Sequence, residues 1–354
     1  MLPNIALISS LKEAHPELTC DYIASKGSLD RQILEKAGIP FHALYSGKLR
    51  RYFSFKNILD TWFITIGFFQ SLALILSTKP KVLFSKGGFV SLPVVYAAYI
   101  CKPLVHTKIV IHESDSLPGL TTRLSARCAD KVLVTEFFSD QAFLKKHKKK
   151  IVRIGIPLRK EFDETITDEN TLEELYGSFP NLPTILFVGG SLGAQQINEL
   201  VHDLLPELLT IANVIHVCGK GKYVLKDSTG SRGRYKQVEF INEEFPYVLR
   251  QVDLVVSRAG ATLLYEIAYA ARPSILLPLG AHQSRGEQSF NADFCKNIGM
   301  SEVVASDSEE LKHEILSVLK STKKQETMKD ACKKLVTMNP AIVISDLLDF
   351  MLIS

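Results

Sequence analysis

Short runs of apolar and β-branched residues alternate with longer amphipathic stretches along most of this chain. In the first half the strand-like runs are CDYIAS (20–25), FHALYS (41–46), KVLFSKGG (81–88), KIVIHES (108–114) and KVLVTE (131–136). Helical patterns lie between them, for example at 28–37 and 92–101. The pattern restarts with TILFV (184–188), VIHVCG (214–219), QVEFI (237–241), DLVVS (253–257) and SILLPL (274–279). Helical patterns at 194–209, 261–271 and 286–297 are interleaved with these, and the chain is helical from about residue 308. Apolar strands separated by helix-length stretches predict parallel sheets with crossover helices, so the expected class is α/β with two doubly wound domains. Between the halves, GIPLRKEFDETITDENTLEELYGSFPNLP (155–183) turns polar and proline-bearing, as a linker does. The expected division is a first domain at 1–158, a linker at 159–183, a second domain at 184–338 and a C-terminal helix at 339–354 packing back on the first domain.

Two segments depart from this rhythm. NILDTWFITIGFFQSLALIL (57–76) is apolar nearly all round: Ile58, Trp62, Phe68, Phe69, Leu72 and Ile75 add to the face formed by Leu59, Phe63, Ile66, Ala73 and Leu76. Such a helix is either buried or touches lipid. Thr65, Gln70 and Ser71 interrupt it, which leaves it too broken to span a bilayer, a task that takes about 20 residues. An interfacial helix and a core helix both fit. The opening MLPNIALISSLKEAHPEL reads as the body and end of an amphipathic helix, with no strand ahead of it and no signal peptide.

Composition narrows the classes. The chain has 354 residues, 46% hydrophobic and 23% charged, which argues for two well-cored domains and against disorder. Its six cysteines lie far apart without metal spacing, as in a reduced thiol set. The net charge of +4 is mild, but basic residues bunch at Lys48, Arg50 and Arg51 and again from Lys145 to Lys150. Bunched charge suits an anionic ligand or membrane surface, or simply a solvated face. No aromatic RNA-binding motif, zinc knuckle or long basic helix is present, so nucleic acid is not an expected partner.

The candidate chemistry follows strands: SKGG (85–88), HESDSLPG (112–119), GGSLGA (189–194), SRAGATLLYE (257–266) and SRGEQSFNA (284–292). Strand ends collect at one edge of a parallel sheet, where such folds bind ligands. Gly189-Gly190-Ser191-Leu192-Gly193 fits the G-x-S-x-G elbow of a hydrolase, with Asp253 and His282 as nominal partners for Ser191. It fits equally a glycine turn that wraps a phosphate at a helix N-terminus. SRAGATLLYE repeats the strand-turn-helix geometry and puts Glu266 in the second helical turn, where a carboxylate can accept bonds from a ribose diol. Arg159 could fork onto a pyrophosphate, and Gln288 and Asn291, three apart, share a helical face able to bond sugar hydroxyls.

Taken in order, GGFVSLPVVYAA, IVIHESDSLPGLTTRLSARCADKVLVT, GIPLR, GGSLGAQQINE, FINEEFPYVLRQVDLVVSRAGATLLYEIA and RGEQSFNA resemble the MurG glycosyltransferases. The resemblance runs from near the start to about residue 300. It implies a GT-B fold, two Rossmann-like domains facing across a cleft, and no cofactor or metal. The implied reaction is inverting transfer of N-acetylglucosamine from UDP-GlcNAc to the 4-hydroxyl of undecaprenyl-pyrophosphoryl-MurNAc-pentapeptide, at the cytoplasmic face of the bacterial plasma membrane. By the same resemblance, Gly190, Ser191 and Arg159 match donor-phosphate contacts, and Ile241 meets uracil through its backbone. Glu266 matches the ribose ligand, Gly260, Ala261, Thr262 and Leu263 the helix start beside the nucleotide, and Gln288 and Asn291 the GlcNAc contacts. Asp115 stands where many relatives carry Asn, Glu113 falls in the acceptor-side motif as a catalytic candidate, and Trp62, Phe68 and Phe69 match a patch on an anionic membrane.

The family begins with a strand and a GGTGGH loop, whose histidine is a candidate base, and neither is in this sequence. Two expectations follow: a natural chain longer by about 15 residues, a typical strand plus loop, and apolar surface exposed beside the absent strand. The alternatives are a UDP-sugar-binding or membrane-scaffolding relative without activity, and an enzyme like the UDP-GlcNAc 2-epimerases.

Overall fold

The computed structural model describes residues 2–26, 34–35, 38–47, 56–164, 171–177, 180–189, 193–223, 233–280, 286–305 and 307–353. Two compact units emerge, one from Met1–Arg159 with Pro340–Ser354, the other from Lys160–Asn339.

The first unit contains α1 (Leu2–Ala14), β1 (Tyr22–Ser25), β2 (Phe41–Leu44), α2 (Lys56–Thr78), β3 (Val82–Ser85), α3 (Ser91–Val105), β4 (Lys108–Glu113), α4 (Leu120–Ser125), β5 (Lys131–Val134), α5 (Gln141–His147) and β6 (Ile151–Arg153). β1 and β2 pair in a two-stranded parallel sheet, and β3-β4-β5-β6 form a separate parallel sheet. One face of the larger sheet is covered by α2 and α3, whose Ile75, Val95 and Ala98 pack with Ile109, Ile111 and Val132. The other is covered by α1 and the C-terminal helix α13 (Pro340–Ile353): Leu7, Leu11, Ile344, Leu348 and Met351 pack with Val110, Leu133 and Ile154. β3 is the edge strand of this sheet; its Val82, Leu83 and Phe84 are only partly buried, although Val82 and Phe84 pack against the α1–α13 cluster on one face.

The second unit contains α6 (Thr171–Tyr176), β7 (Thr184–Val188), α7 (Gln195–Leu208), β8 (Asn213–Val217), β9 (Tyr235–Val238), α8 (Phe245–Gln251), β10 (Leu254–Ser257), α9 (Ala261–Tyr269), β11 (Ser274–Leu276), α10 (Glu287–Asn297), β12 (Ser301–Val303), α11 (Ser308–Lys320) and α12 (Thr322–Leu335). Its six parallel strands run β12-β11-β10-β7-β8-β9. β7, β8 and β10 are buried at every position, which is why they are mostly apolar, their few polar members such as Asn213 and His216 being hydrogen-bonded. The polar stretch after Arg159 is bound into this unit. Tyr269 donates to Asp163 at 2.5 Å, Arg250 donates to the Glu164 carbonyl at 2.8 Å, and the Leu172 N–H donates to Gln251 at 2.9 Å.

The strand order fixes where a ligand can sit. The chain winds outward from β7 through β8 and β9, then returns to pair β10 on the other side of β7. The crevice at that reversal, outside the carboxyl ends of the strands, is where doubly wound sheets bind ligands. Val188 of β7 and Ser257 of β10 are in register, so the turns that follow leave the sheet side by side.

Candidate functional site

Those two turns lead into α7 and α9. Gly189 lies tight against the start of α7: a Cβ there would lie 2.2 Å from the Ala194 nitrogen. Gly193 has φ +66°, and a Cβ on it would meet the Cys218 carbonyl oxygen at 2.1 Å, so only glycine lets the turn close against the end of β8. Gly190, Ser191 and Leu192 lie outside the described residues. α7 is tied to β8 by buried Asn198, whose amide donates to the Cys218 carbonyl at 2.9 Å and whose oxygen lies 2.9 Å from His216 Nε2. His216 Nδ1 lies 3.0 Å from the Tyr235 hydroxyl. Burial, with His202 close by, pulls His216 down to about 4. The ring is therefore neutral at pH 7, with Nε2–H donating to Asn198 and Nδ1 accepting from Tyr235.

The caps of both helices, Ala194 and Gly260, are extended and make no side-chain capping bond. Helix N-termini so arranged offer N–H donors and partial positive charge to an anion. Ala261 is buried, while Thr262, Leu263 and Glu266 are partly buried. Ile241 is buried just beyond β9.

Arg258, at the end of β10, was not among the sequence candidates. It donates from Nη1 to the Leu277 carbonyl at 2.8 Å and from Nη2 to Gln196 Oε1 at 2.7 Å, tying β10, β11 and the first turn of α7 together. Its one signal in the sequence is a cation directly after the apolar run DLVVS and just before Gly260. Gln288 and Asn291 both lie on α10, but in different roles. Gln288 accepts from the Leu279 N–H at 3.1 Å. Asn291 is 1% exposed and donates to the Ala259 carbonyl at 3.0 Å, bracing the turn into α9.

The hydrolase alternative fails on position. Asp253 accepts from the N–H of Thr184, the first residue of β7, at 2.7 Å. That end of the strand is about 15 Å from the turn carrying Ser191, at 3.3 Å per residue. His282 lies outside the described residues.

In the first unit, SKGG and HESD converge at the ends of β3 and β4. Lys86 Nζ lies 2.6 Å from His112 Nδ1 and donates to Ser114 Oγ at 2.8 Å. Burial brings Lys86 down to about 7 against the opposing attraction of Glu113 and Asp115, and burial holds His112 well below its usual range. Glu113 accepts from the Asp115 and Gly119 N–H groups at 3.1 and 3.0 Å and from the Thr122 hydroxyl at 2.5 Å. Its carboxylate shapes the loop between β4 and α4, with both oxygens already engaged. Asp115 and Arg159 are both partly buried.

The first unit also exposes a run of large apolar side chains. On α2, Gly67, Ser71 and Ile75 face inward, while Trp62 is 66% and Phe69 61% exposed. Phe63, Ile66 and Leu76, which the sequence groups on one apolar face, are exposed as well, whereas Ile75 is buried. The inward row is set by Gly67, which brings the helix backbone against the Tyr45 carbonyl. Phe68 is partly buried and packs edge-on to Phe69 at 5.6 Å. α3, packed along α2, exposes Tyr99, Ile100 and Leu104. Among the described residues no helix is long and apolar enough to cross a membrane. Lys145, Lys146, Lys148 and Lys149 are exposed, whereas Lys48, Arg50 and Arg51 lie outside the described residues.

Two Rossmann-like units of parallel sheets, one with paired helix starts at its switch point, are the architecture of the GT-B class. Known proteins agree. The model of the glycosyltransferase family 28 N-terminal domain matches residues 1–134, and that of the C-terminal domain matches residues 184–339. The chain is 39% identical over 307 residues to the UDP-N-acetylglucosamine–N-acetylmuramyl-(pentapeptide) pyrophosphoryl-undecaprenol N-acetylglucosamine transferase of Clostridium kluyveri, covering 86% of this chain and 83% of that one. It is 37% identical over 334 residues to the second such transferase of Bacillus cereus, covering 94% and 91%. The chain belongs to the MurG family of glycosyltransferase family 28. MurG of Acinetobacter baumannii superposes with a TM-score of 0.72 at 20% identity over 98% of this chain and 95% of that one. A putative UDP-N-acetylglucosamine 2-epimerase of Listeria monocytogenes gives 0.65 at 14% identity over 99% and 94%, a likeness of fold alone.

Proposed function

We propose that this enzyme transfers N-acetylglucosamine from UDP-GlcNAc to the muramyl 4-hydroxyl of undecaprenyl-pyrophosphoryl-MurNAc-pentapeptide, with inversion at the anomeric carbon. The observation that carries this reading is the extent of the relationship: relatives named for that reaction match at 37 to 39% across both units. The site geometry supplies a rationale for the donor. The diphosphate sits at the starts of α7 and α9, contacted by Gly190, Ser191 and Arg159 and by the backbone from Gly260 to Leu263. Glu266 accepts from the ribose hydroxyls, the Ile241 backbone meets uracil, and Gln288 addresses the sugar while Asn291 braces the turn into α9 behind it. The muramyl 4-hydroxyl attacks the anomeric carbon from the face opposite UDP and gives its proton to a base. Helix N-termini stabilise charge on the departing UDP. We further infer that the exposed apolar side chains of α2 and α3 rest on an anionic membrane surface, which brings the enzyme to its lipid-linked acceptor.

Radiolabelled GlcNAc transfer from UDP to a lipid-pyrophosphoryl-MurNAc-pentapeptide tests the reaction, with labelled lipid product expected. UDP-GlcNAc bound without transfer would leave a binding protein on a transferase fold, and inversion at C2 of free UDP-GlcNAc would mean an epimerase. Ser191→Ala is expected to weaken UDP-GlcNAc binding, and covalent capture of Ser191 by a serine-reactive probe would contradict its phosphate role.

A further inference from the structure

The ends of β3 and β4 carry a cluster that the donor chemistry leaves unused. Ser85 is in register with Ile111, so Lys86 and His112 lie side by side where β3 leaves the sheet. That is the carboxyl edge, where doubly wound sheets meet their ligands. His112 is 1% exposed, and its ring stacks on Phe84 with centroids 6.3 Å apart. An ammonium has only hydrogens to give, so His112 Nδ1 and Ser114 Oγ both accept from Lys86. Among the described residues the amine bonds these two partners and no carboxylate. Its third position carries a hydrogen when charged and a lone pair when neutral. Glu113 turns its oxygens to the Asp115 and Gly119 N–H groups and the Thr122 hydroxyl, so it and Asp115 reach Lys86 through their field. Burial outweighs that field and brings the amine to about 7, which populates both states at neutral pH. Lys86 is itself partly exposed, and the turn that follows it, with φ of +82° at Gly87 and +95° at Gly88, leaves open space beside Gly88.

We propose that the Lys86 amine is the base of the transfer, taking the proton of the muramyl 4-hydroxyl at the carboxyl edge of β3 and β4. The inference rests on the reading of the enzyme as a GlcNAc transferase and names a catalytic residue for it. The hydroxyl oxygen bonds to C1 of GlcNAc, the C1–O bond to UDP breaks with its electron pair staying on the phosphate, and the hydroxyl proton passes to the Lys86 lone pair. Lys86 then gives that proton to water. His112 and Ser114 aim the lone pair, because their bonds fix the other two positions of the amine.

Steady-state transfer by the full chain across a pH series tests the assignment. The wild-type kcat is expected to fall below about pH 7, as the amine takes up a proton. Lys86→Met is expected to lower kcat about 100- to 10,000-fold, the range for a general base, with the KM for UDP-GlcNAc unchanged and the acid limb gone. Lys86→Arg keeps the charge but cannot give up its proton, and is expected to be as slow. Aminoethylation of Lys86→Cys rebuilds an amine through a thioether and is expected to restore transfer, with wild type treated alike as the control for the other cysteines. Should Lys86→Met not fold, Asp115→Asn carries the test. It removes one of the fields that hold the proton on Lys86, so the acid limb is expected to move to lower pH. Full activity in Lys86→Arg, an unchanged kcat in Lys86→Met, or an unmoved limb in Asp115→Asn would overturn the proposal. A wild type that transfers no GlcNAc to the lipid acceptor would remove the transferase reading and this inference with it.

Discussion

His216 shows how a single buried ring sets a pH dependence. Its value is about 4 in the folded chain against 6.5 for an unperturbed histidine. Between those values the unfolded chain binds the extra proton and the folded chain does not, so stability falls as pH drops through that window. His112, lowered by burial and by Lys86, acts in the same direction. His216→Gln keeps a donor and an acceptor on β8, and its melting temperature is expected to vary less from pH 6.5 to pH 4 than that of the wild type. Glu113 is the second residue with a readable role. Replacing it by Ala leaves the Gly119 N–H and the Thr122 hydroxyl without their acceptor. The expected cost is about 1–3 kcal/mol for the orphaned groups, seen as earlier thermal unfolding with UDP binding intact.

Among the elements, α2 and α3 stand apart because they leave large apolar groups in water. Trp62 is 66% and Leu104 75% exposed, so replacing them removes little packing from the unit. The double variant Trp62→Glu/Leu104→Glu is therefore expected to keep its melting temperature and to lose co-sedimentation with anionic vesicles. Unchanged sedimentation would assign these faces to some other contact. The inward row of Gly67, Ser71 and Ile75 is the opposite case. Ser71 returns its hydroxyl to the Gly67 carbonyl at 2.6 Å, and a side chain at position 67 would strike the Tyr45 carbonyl.

On the scale of the molecule, the C-terminal helix belongs to the core of the first unit although 180 residues of the second precede it. Leu348 is 3% exposed among Leu7, Leu11, Val110 and Leu133. Leu348→Ala is expected to cost about 2–5 kcal/mol, as large-to-small core changes do, and to destabilise the first unit selectively. Calorimetry with UDP at about 100 times its Kd is expected to raise the transition of the second unit by a free energy near 2.7 kcal/mol, leaving that of the first in place.

Periodicity in the sequence determined the strands and their class. Within TILFV and DLVVS the stretches Ile185–Val188 and Leu254–Val256 are continuously apolar because both faces of a parallel strand are covered, and that burial is written locally. The three-residue strands Ile151–Arg153 and Ser301–Val303 escaped notice, being too short and too polar to show a period. The glycine turns and the order of motifs were likewise legible, since backbone geometry demands particular residues at particular places. Tertiary structure alone decided the rest. The inward row of α2 depends on Gly67 meeting Tyr45, a contact made across 22 positions of chain. Asp253 became a strand-pairing residue, and Asn291 a brace, only once their neighbours were known. Arg258 carried no role in the sequence, and its bonds to the Leu277 carbonyl and to Gln196 exist only because β11 and α7 close over it. Local patterns record whether an element is buried; which residues meet inside is settled by contacts between segments far apart in the chain.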